Sequence, residues 1–110
     1  MKTELDMSIN EELFAGFDLN LMVVFLVLYR EQSVSAAAKR LNVGQPAVSG
    51  SLCRLRQRFN DSLFVRHGRG VRPTPRAEQI AKSLAPSIRK IELILSLTPA
   101  AEQEPGEMGS

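Results

Sequence analysis

Between Ser33 and Phe59 the sequence sets two helices so close together that each limits where the other can go. Ser33 offers an N-cap for a short segment, Val34 to Leu41, the triplet Asn42-Val43-Gly44 turns the chain, and Gln45-Pro46 opens a second segment that should run to about Phe59. Pro46 stands in the first turn, where a missing N–H costs nothing, and Ala36-Ala37-Ala38 permits close helix approach. In the second segment Val48, Leu52, Leu55 and Phe59 recur at spacings of four, three and four as a core stripe, while Gln45, Ser49, Arg54, Arg56 and Arg58 lie off it. One face packs; the others are polar or basic.

The flanks supply what this pair packs against. Asp18 is an N-cap candidate for Leu19 to Glu31, a helix apolar nearly all round and therefore buried on several sides. After Phe59, Leu63-Phe64-Val65-Arg66 has strand character, His67-Gly68-Arg69-Gly70 is a glycine-rich tip and Val71-Arg72-Pro73 returns, which predicts a β-hairpin. Thr74-Pro75 then caps a last helix to about Leu97, with Ile80, Leu84, Ile88, Ile91 and Leu95 on one stripe. At ~1.5 Å per residue it is roughly 34 Å long, more than a small domain can cover along one side. Its first half is expected on the domain's own core and its second half on a partner, most simply the same helix of a second subunit. Pro86 predicts a kink or a break. Residues 1–17 read as a flexible acidic leader whose Leu5, Met7, Ile9, Leu13 and Phe14 are too scattered to define a face. Residues 98–110, with three glutamates and no apolar face, read as a disordered tail or the start of an interdomain hinge. The expected class is all-α with a small β-hairpin wing: a winged helix-turn-helix over 18–74, its helix-turn-helix at about 34–54, followed by a dimerisation helix over 75–97.

A chain of 110 residues with a net charge of +2 has room for one small domain, and that small net charge conceals a strong asymmetry. From 39 to 76 the bases Lys39, Arg40, Arg54, Arg56, Arg58, Arg66, Arg69, Arg72 and Arg76 face a single acid, Asp61, whereas both ends are acidic. Such a segment is an electrostatic footprint for a polyanion, nucleic acid being the commonest. The longest apolar run, Leu21 to Tyr29, is well short of the roughly 20 residues that span a bilayer. The N-terminus lacks the basic start of a signal peptide. One cysteine, Cys53, cannot form an internal disulfide and is expected as a half-buried structural thiol, which fits a reducing cytosol. The only histidine, His67, has no second ligand in view, and Ser49 has no His/Asp pattern beside it, so neither a metal site nor an enzyme is indicated.

A helix fits the major groove and presents its first turn to bases and phosphates. Gln45 can donate and accept at an adenine edge, Pro46 and Ala47 can meet a thymine methyl, and Ser49, one turn on, can reach a base or phosphate. Arg54, Arg56 and Arg58 are candidate phosphate neutralisers. Arg69 in its flexible tip can enter a narrow A·T-rich minor groove, with Arg66 and Arg72 beside it. Arg66 has a structural alternative, pairing with Asp61. A protein-docking winged helix, or a truncated regulator that acts by heterodimerising, is the competing reading; it has no need for basic faces led by a glutamine.

These residues also carry a resemblance. Asp18-Leu19, Phe25, Ser33 with Ala37-Ala38 and Leu41, Gln45-Pro46-Ala47-Val48-Ser49, Leu52, Leu55, Leu63-Phe64, Arg66 and Thr74, in that order, resemble the N-terminal DNA-binding domain of LysR-type bacterial transcriptional regulators. The resemblance implies a winged helix-turn-helix, a linker helix that dimerises, with tetramers in a full-length protein an open option, and binding to inverted-repeat, A·T-rich operators in the cytoplasm. It places Ser33, Ser35 and Thr74 with Gln45 among the DNA-contacting positions. It further implies a separate C-terminal domain for a small-molecule effector, so no cofactor is expected within these residues. Two departures stand out: Gly44 replaces the usual Ser or Thr before the glutamine, and Gly50 stands where many members carry an arginine that reads the major groove.

Overall fold

The computed structural model describes residues 5–97; the tail expected at 98–110 lies outside the described residues. Four α-helices and one antiparallel hairpin follow in the order α1 (Leu19–Glu31), α2 (Val34–Leu41), α3 (Gln45–Phe59), β1 (Phe64–His67), β2 (Gly70–Pro73) and α4 (Pro75–Ser96). Three of the helix starts are fixed by local chemistry. The Asp18 carboxylate accepts from the Leu21 N–H, the Ser33 hydroxyl from Ala36 and the Thr74 hydroxyl from Ala77, each satisfying an amide that the helix leaves free. α3 starts at Gly44 without a side-chain cap. Gln32, Asn42 and Asn60 end α1, α2 and α3 in the left-handed conformation, which asparagine tolerates best.

α1 is the centre of the domain and touches α2, α3 and α4. Its Phe25 and Leu28 are completely buried, and Phe25 packs between the rings of Tyr29 and Phe64. Ala37 and Ala38 bring α2 against it, Val48, Leu52 and Leu55 bring α3, and Ala77 and Ala81 bring α4. No polar or charged residue among those described is buried, so every ionisable side chain there remains available to solvent.

The wing is pinned at its base. β1 and β2 pair with Phe64 opposite Pro73 and His67 opposite Gly70, and Gly68, at φ +60°, makes the two-residue tip. Leu63, buried, takes φ +64° at the centre of a γ-turn in which the Phe64 N–H donates to the Ser62 carbonyl at 2.6 Å. A positive φ at a leucine is costly, and it is held by burial of the side chain and by a 2.8 Å bond from the Leu63 N–H to Asp61. The Val71 N–H donates to the Gln32 carbonyl at 3.0 Å, so β2 is tied to the α1–α2 junction.

Two expectations need correction. Residues 1–17 are not all outside the fold: Glu11–Phe14 form a 3₁₀ turn, and Phe17 is buried, meeting Phe59 edge-on at 5.7 Å while the Arg58 guanidinium lies over its ring. No periodicity announces this, because one aromatic inserts into a slot made by distant residues. Of the kink or break expected at Pro86, the break is absent, α4 being continuous through it. Position 86 is exposed, so the carbonyl left without its N–H partner can be hydrated.

Candidate nucleic-acid interface

Three elements converge on one concavity. Ser33 and Ser35 at the start of α2, Gln45 and Arg56 on α3, and Arg66, Arg69 and Gly70 on the wing line it over a floor of Leu52, Phe64 and Val71. At 100° per residue, Gln45, Leu52 and Arg56 fall along one side of α3, which is why residues eleven apart share it. The Ser33 and Ser35 hydroxyls lie 3.2 Å apart. No carboxylate lines this surface.

The lone acid of the basic segment is turned away. One Asp61 carboxylate oxygen accepts from the Leu63 N–H and from the Thr74 hydroxyl, both at 2.8 Å. These bonds, the backbone one foremost, hold its carboxyl below the usual carboxylate range. Arg54, Arg66, Arg69 and Arg72 are exposed and form no ion pair among the described residues. Their charge is therefore uncompensated by neighbours.

The residues expected to contact DNA fall into separate groups. Pro46, Ala47, Ser49, Gly50 and Arg54 are exposed on α3 and do not line the concavity; by helix phase Ser49 lies on the side of Gln45, and Gly50 and Arg54 lie on the outward side. Arg72 pairs with Val65, and strand alternation puts it on the opposite face of the hairpin from Arg66. Arg56 has work inside the domain: its Nε donates to the Ser62 carbonyl at 2.8 Å and its Nη2 to the Phe64 carbonyl at 3.0 Å, clamping α3 to the root of the wing. Arg58 donates to the Leu13 carbonyl at the far end of α3. Thr74 is occupied at both its donor and its acceptor, by Asp61 and by the Ala77 amide. Arg66 does not pair with Asp61, whose hydrogen-bond partners are Leu63 and Thr74. Cys53, expected to be half-buried, is exposed, because the core stripe of α3 runs through Leu52 and Leu55 on the other side.

The stripe on α4 also divides. Ile80 and Leu84 pack against the core. Ile88, Ile91 and Leu95 instead face α1 across a groove of about 370 Å³, whose other wall is Leu19, Val23, Leu26 and Val27, with Arg30 and Glu92 also lining it. Leu95 remains 62% exposed. The α1 wall was not singled out from the sequence, although the all-round apolar character of Leu19 to Glu31 was its signal. Among the described residues there is no cluster of three His, Cys, Asp or Glu able to hold a metal, and no helix is long and apolar enough to cross a membrane.

Residues 19–78 match the family model of bacterial regulatory helix-turn-helix proteins of the lysR family. The chain is 45% identical over 80 residues to nodulation protein D 1 of Rhizobium meliloti, covering 73% of this chain and 26% of that protein. It is 43% identical over 88 residues to the transcriptional regulator LeuO of Escherichia coli, covering 80% and 27%. It thus spans about a quarter of the length of these relatives. Among solved structures, a probable transcriptional regulator from Pseudomonas aeruginosa superposes with a TM-score of 0.74 at 40% identity, over 80% of this chain and 30% of that one. The BenM DNA-binding domain, solved with benA site 1 DNA, shares the fold with a TM-score of 0.67 at 23% identity, over 74% of this chain and 94% of that one. The chain belongs to the lysR family of bacterial regulatory helix-turn-helix proteins, and residues 19–78 are the helix-turn-helix DNA-binding domain of that family.

Proposed function

We propose that this domain binds duplex DNA site-specifically, as a dimer on an inverted-repeat, A·T-rich operator, and so serves transcriptional regulation. The observation that carries the reading is the acid-free concavity in which Ser33, Ser35, Gln45, Arg66 and Arg69 meet from three elements. In this reading α3 enters the major groove by its N-terminal turn. Gln45 reads an adenine edge, Pro46 and Ala47 meet a thymine methyl, and Ser49 and Arg54 reach base or backbone. Ser33 and Ser35 hold a phosphate at the start of α2, and the wing sends Arg69 into the flanking minor groove. The distal half of α4 and its groove with α1 take the second subunit, whose two-fold symmetry sets the inverted repeat.

Selection of bound duplexes from a random pool tests site, symmetry and flanking preference together. An inverted repeat with A·T-rich flanks is expected, and a pool that stays unenriched overturns the proposal. If each subunit neutralises about four phosphates, binding should fall with salt at a log–log slope near −7. A protein-docking module would show a slope near zero.

A further inference from the structure

The segment before α1 carries apolar surface that the domain leaves uncovered. It is held in place: the Asn10 side chain accepts from the Glu12 N–H at 3.2 Å, Arg58 donates to the Leu13 carbonyl at 3.1 Å, and Phe17 is buried. Yet Leu5, Met7, Ile9, Leu13 and Phe14 are each more than half exposed. Ile9 and Phe14 converge with Glu11 and Ala15 on an open hollow of about 400 Å³. Large apolar side chains gathered on one anchored segment mark an interaction surface. Asp6, Glu11 and Glu12 make that surface acidic, and residues 5–17 contain no base.

A second uncovered face lies at the far end of α4. Counting about 100° per residue, Leu93 and Leu97 lie about 170° around the helix from the Ile88, Ile91 and Leu95 stripe, with Lys90 beside them. Leu93 and Leu97 are more than half exposed, as is Ile94, which fills the arc between this face and the stripe. Lys90 forms no ion pair among the described residues. A helix end that is apolar over most of its circumference is one that is buried on several sides. The groove against α1 accounts for one side only.

One face is acidic and apolar, the other basic and apolar. The acidic one also adjoins the groove, because Phe17 and Asp18 lead directly to Leu19, which lines it. We propose that residues 5–17 form a clasp for a second copy of the chain, closing over the Lys90, Leu93 and Leu97 face of that copy's α4. The inference rests on the dimer reading above and adds to it a contact outside both the helix-turn-helix and the α4 stripe. Ile9 and Phe14 receive the leucines, and Glu11 and Glu12 face Lys90. In a two-fold dimer the contact is made twice, each copy clasping the other.

The test measures dimer dissociation of the 110-residue chain by sedimentation equilibrium at one fixed, low ionic strength, where exposed charges are least screened. Separate variants address the apolar and the charged halves of the contact. Ile9→Ser with Phe14→Ser, both at exposed positions, should weaken the dimer about tenfold or more, because each loss counts at two copies of the contact. Glu11→Lys with Glu12→Lys should weaken it to a similar degree, as should Lys90→Glu alone. All three charge reversals in one chain should return the dimer to within about threefold of wild type. Serine and lysine variants that dimerise as tightly as wild type overturn the clasp and leave the dimer reading standing. Weakened dimers that the combined reversal does not restore place some other surface against residues 5–17 and overturn the inference as well. A wild type that stays monomeric overturns both the clasp and the dimer reading.

Discussion

The Thr74 hydroxyl donates to the Asp61 carboxylate at 2.8 Å and in the same position accepts from the Ala77 amide, so the cap that starts α4 is held by the turn that ends α3. The same carboxylate oxygen takes the Leu63 amide. A single acid thus fixes the entry to the wing, the γ-turn at Leu63 and the start of the last helix. It does so without adding negative charge to the concavity, which no carboxylate lines.

Acid should therefore loosen this joint. These hydrogen bonds lower the Asp61 carboxyl in the folded chain from its ordinary value of 3.8. Below that value the unfolded state binds the proton more readily than the folded one. The contribution is present in full above pH 3.8 and is lost as pH falls through the folded value. Melting followed by circular dichroism should show the wild type losing midpoint below about pH 4 more steeply than Asp61→Asn, which starts lower at neutral pH and has a flatter acid limb. Parallel acid limbs would place the sensitivity elsewhere.

The wing should be intolerant of one added methyl and tolerant of another. At Gly70 a Cβ would meet the backbone oxygen of Gln32, the acceptor for Val71, and neither chain segment is free to move. Gly70→Ala should cost about 1–3 kcal/mol in urea unfolding. Gly68→Ala has open space and meets only the strain of φ +60°, about 1–2 kcal/mol. Only the Gly70 change should also displace the wing from the α1–α2 junction, visible as faster hydrogen exchange at the Val71 amide, which donates to Gln32.

Arginines that look alike in the sequence should separate by what they do. Arg56→Ala removes two bonds to the carbonyls of Ser62 and Phe64 and should cost about 1 kcal/mol or more in stability. Arg69→Ala, from an exposed tip, should leave the melting midpoint unchanged and weaken binding chiefly to sites with A·T-rich flanks. Gln45→Ala should weaken the selected site far more than random DNA. Equal losses on every sequence for both Arg69 and Gln45 would mean that the base and groove contacts are misassigned.

Legibility followed the range of the interaction. The caps at Asp18, Ser33 and Thr74 act over three residues, and the sequence displays both partners at once, so the helices began where their caps predicted. The core stripe of α3 was equally plain, since period and burial coincide in Val48, Leu52 and Leu55. What stayed hidden joins residues far apart in the chain. Phe17 enters the core through Phe59, Arg56 is claimed by the root of the wing, and Thr74 is shared with Asp61. Cys53 shows the same limit at short range, because its neighbour Leu52 is buried and only the helix phase reveals that the thiol points out.

The two halves of α4 should respond oppositely to a buried charge. Leu84 packs against the core, so Leu84→Asp strands a carboxylate in an apolar contact and should destabilise the domain by about 2–5 kcal/mol. Ile91 and Leu95 face α1 across an open groove, and Leu95 is 62% exposed. Ile91→Asp and Leu95→Asp should therefore leave intramolecular packing intact and act only on assembly. In sedimentation velocity the wild type should be dimeric at micromolar concentration and both distal variants monomeric. Their weaker DNA binding should follow from the loss of the second half-site, with each monomer still holding a single half-site. A charge on the other wall, Leu19→Asp, at a residue 41% exposed, should give the same monomer if α1 and α4 form one surface. A wild type that remains monomeric at high micromolar concentration would sink the dimer assignment for this groove, whatever the variants do.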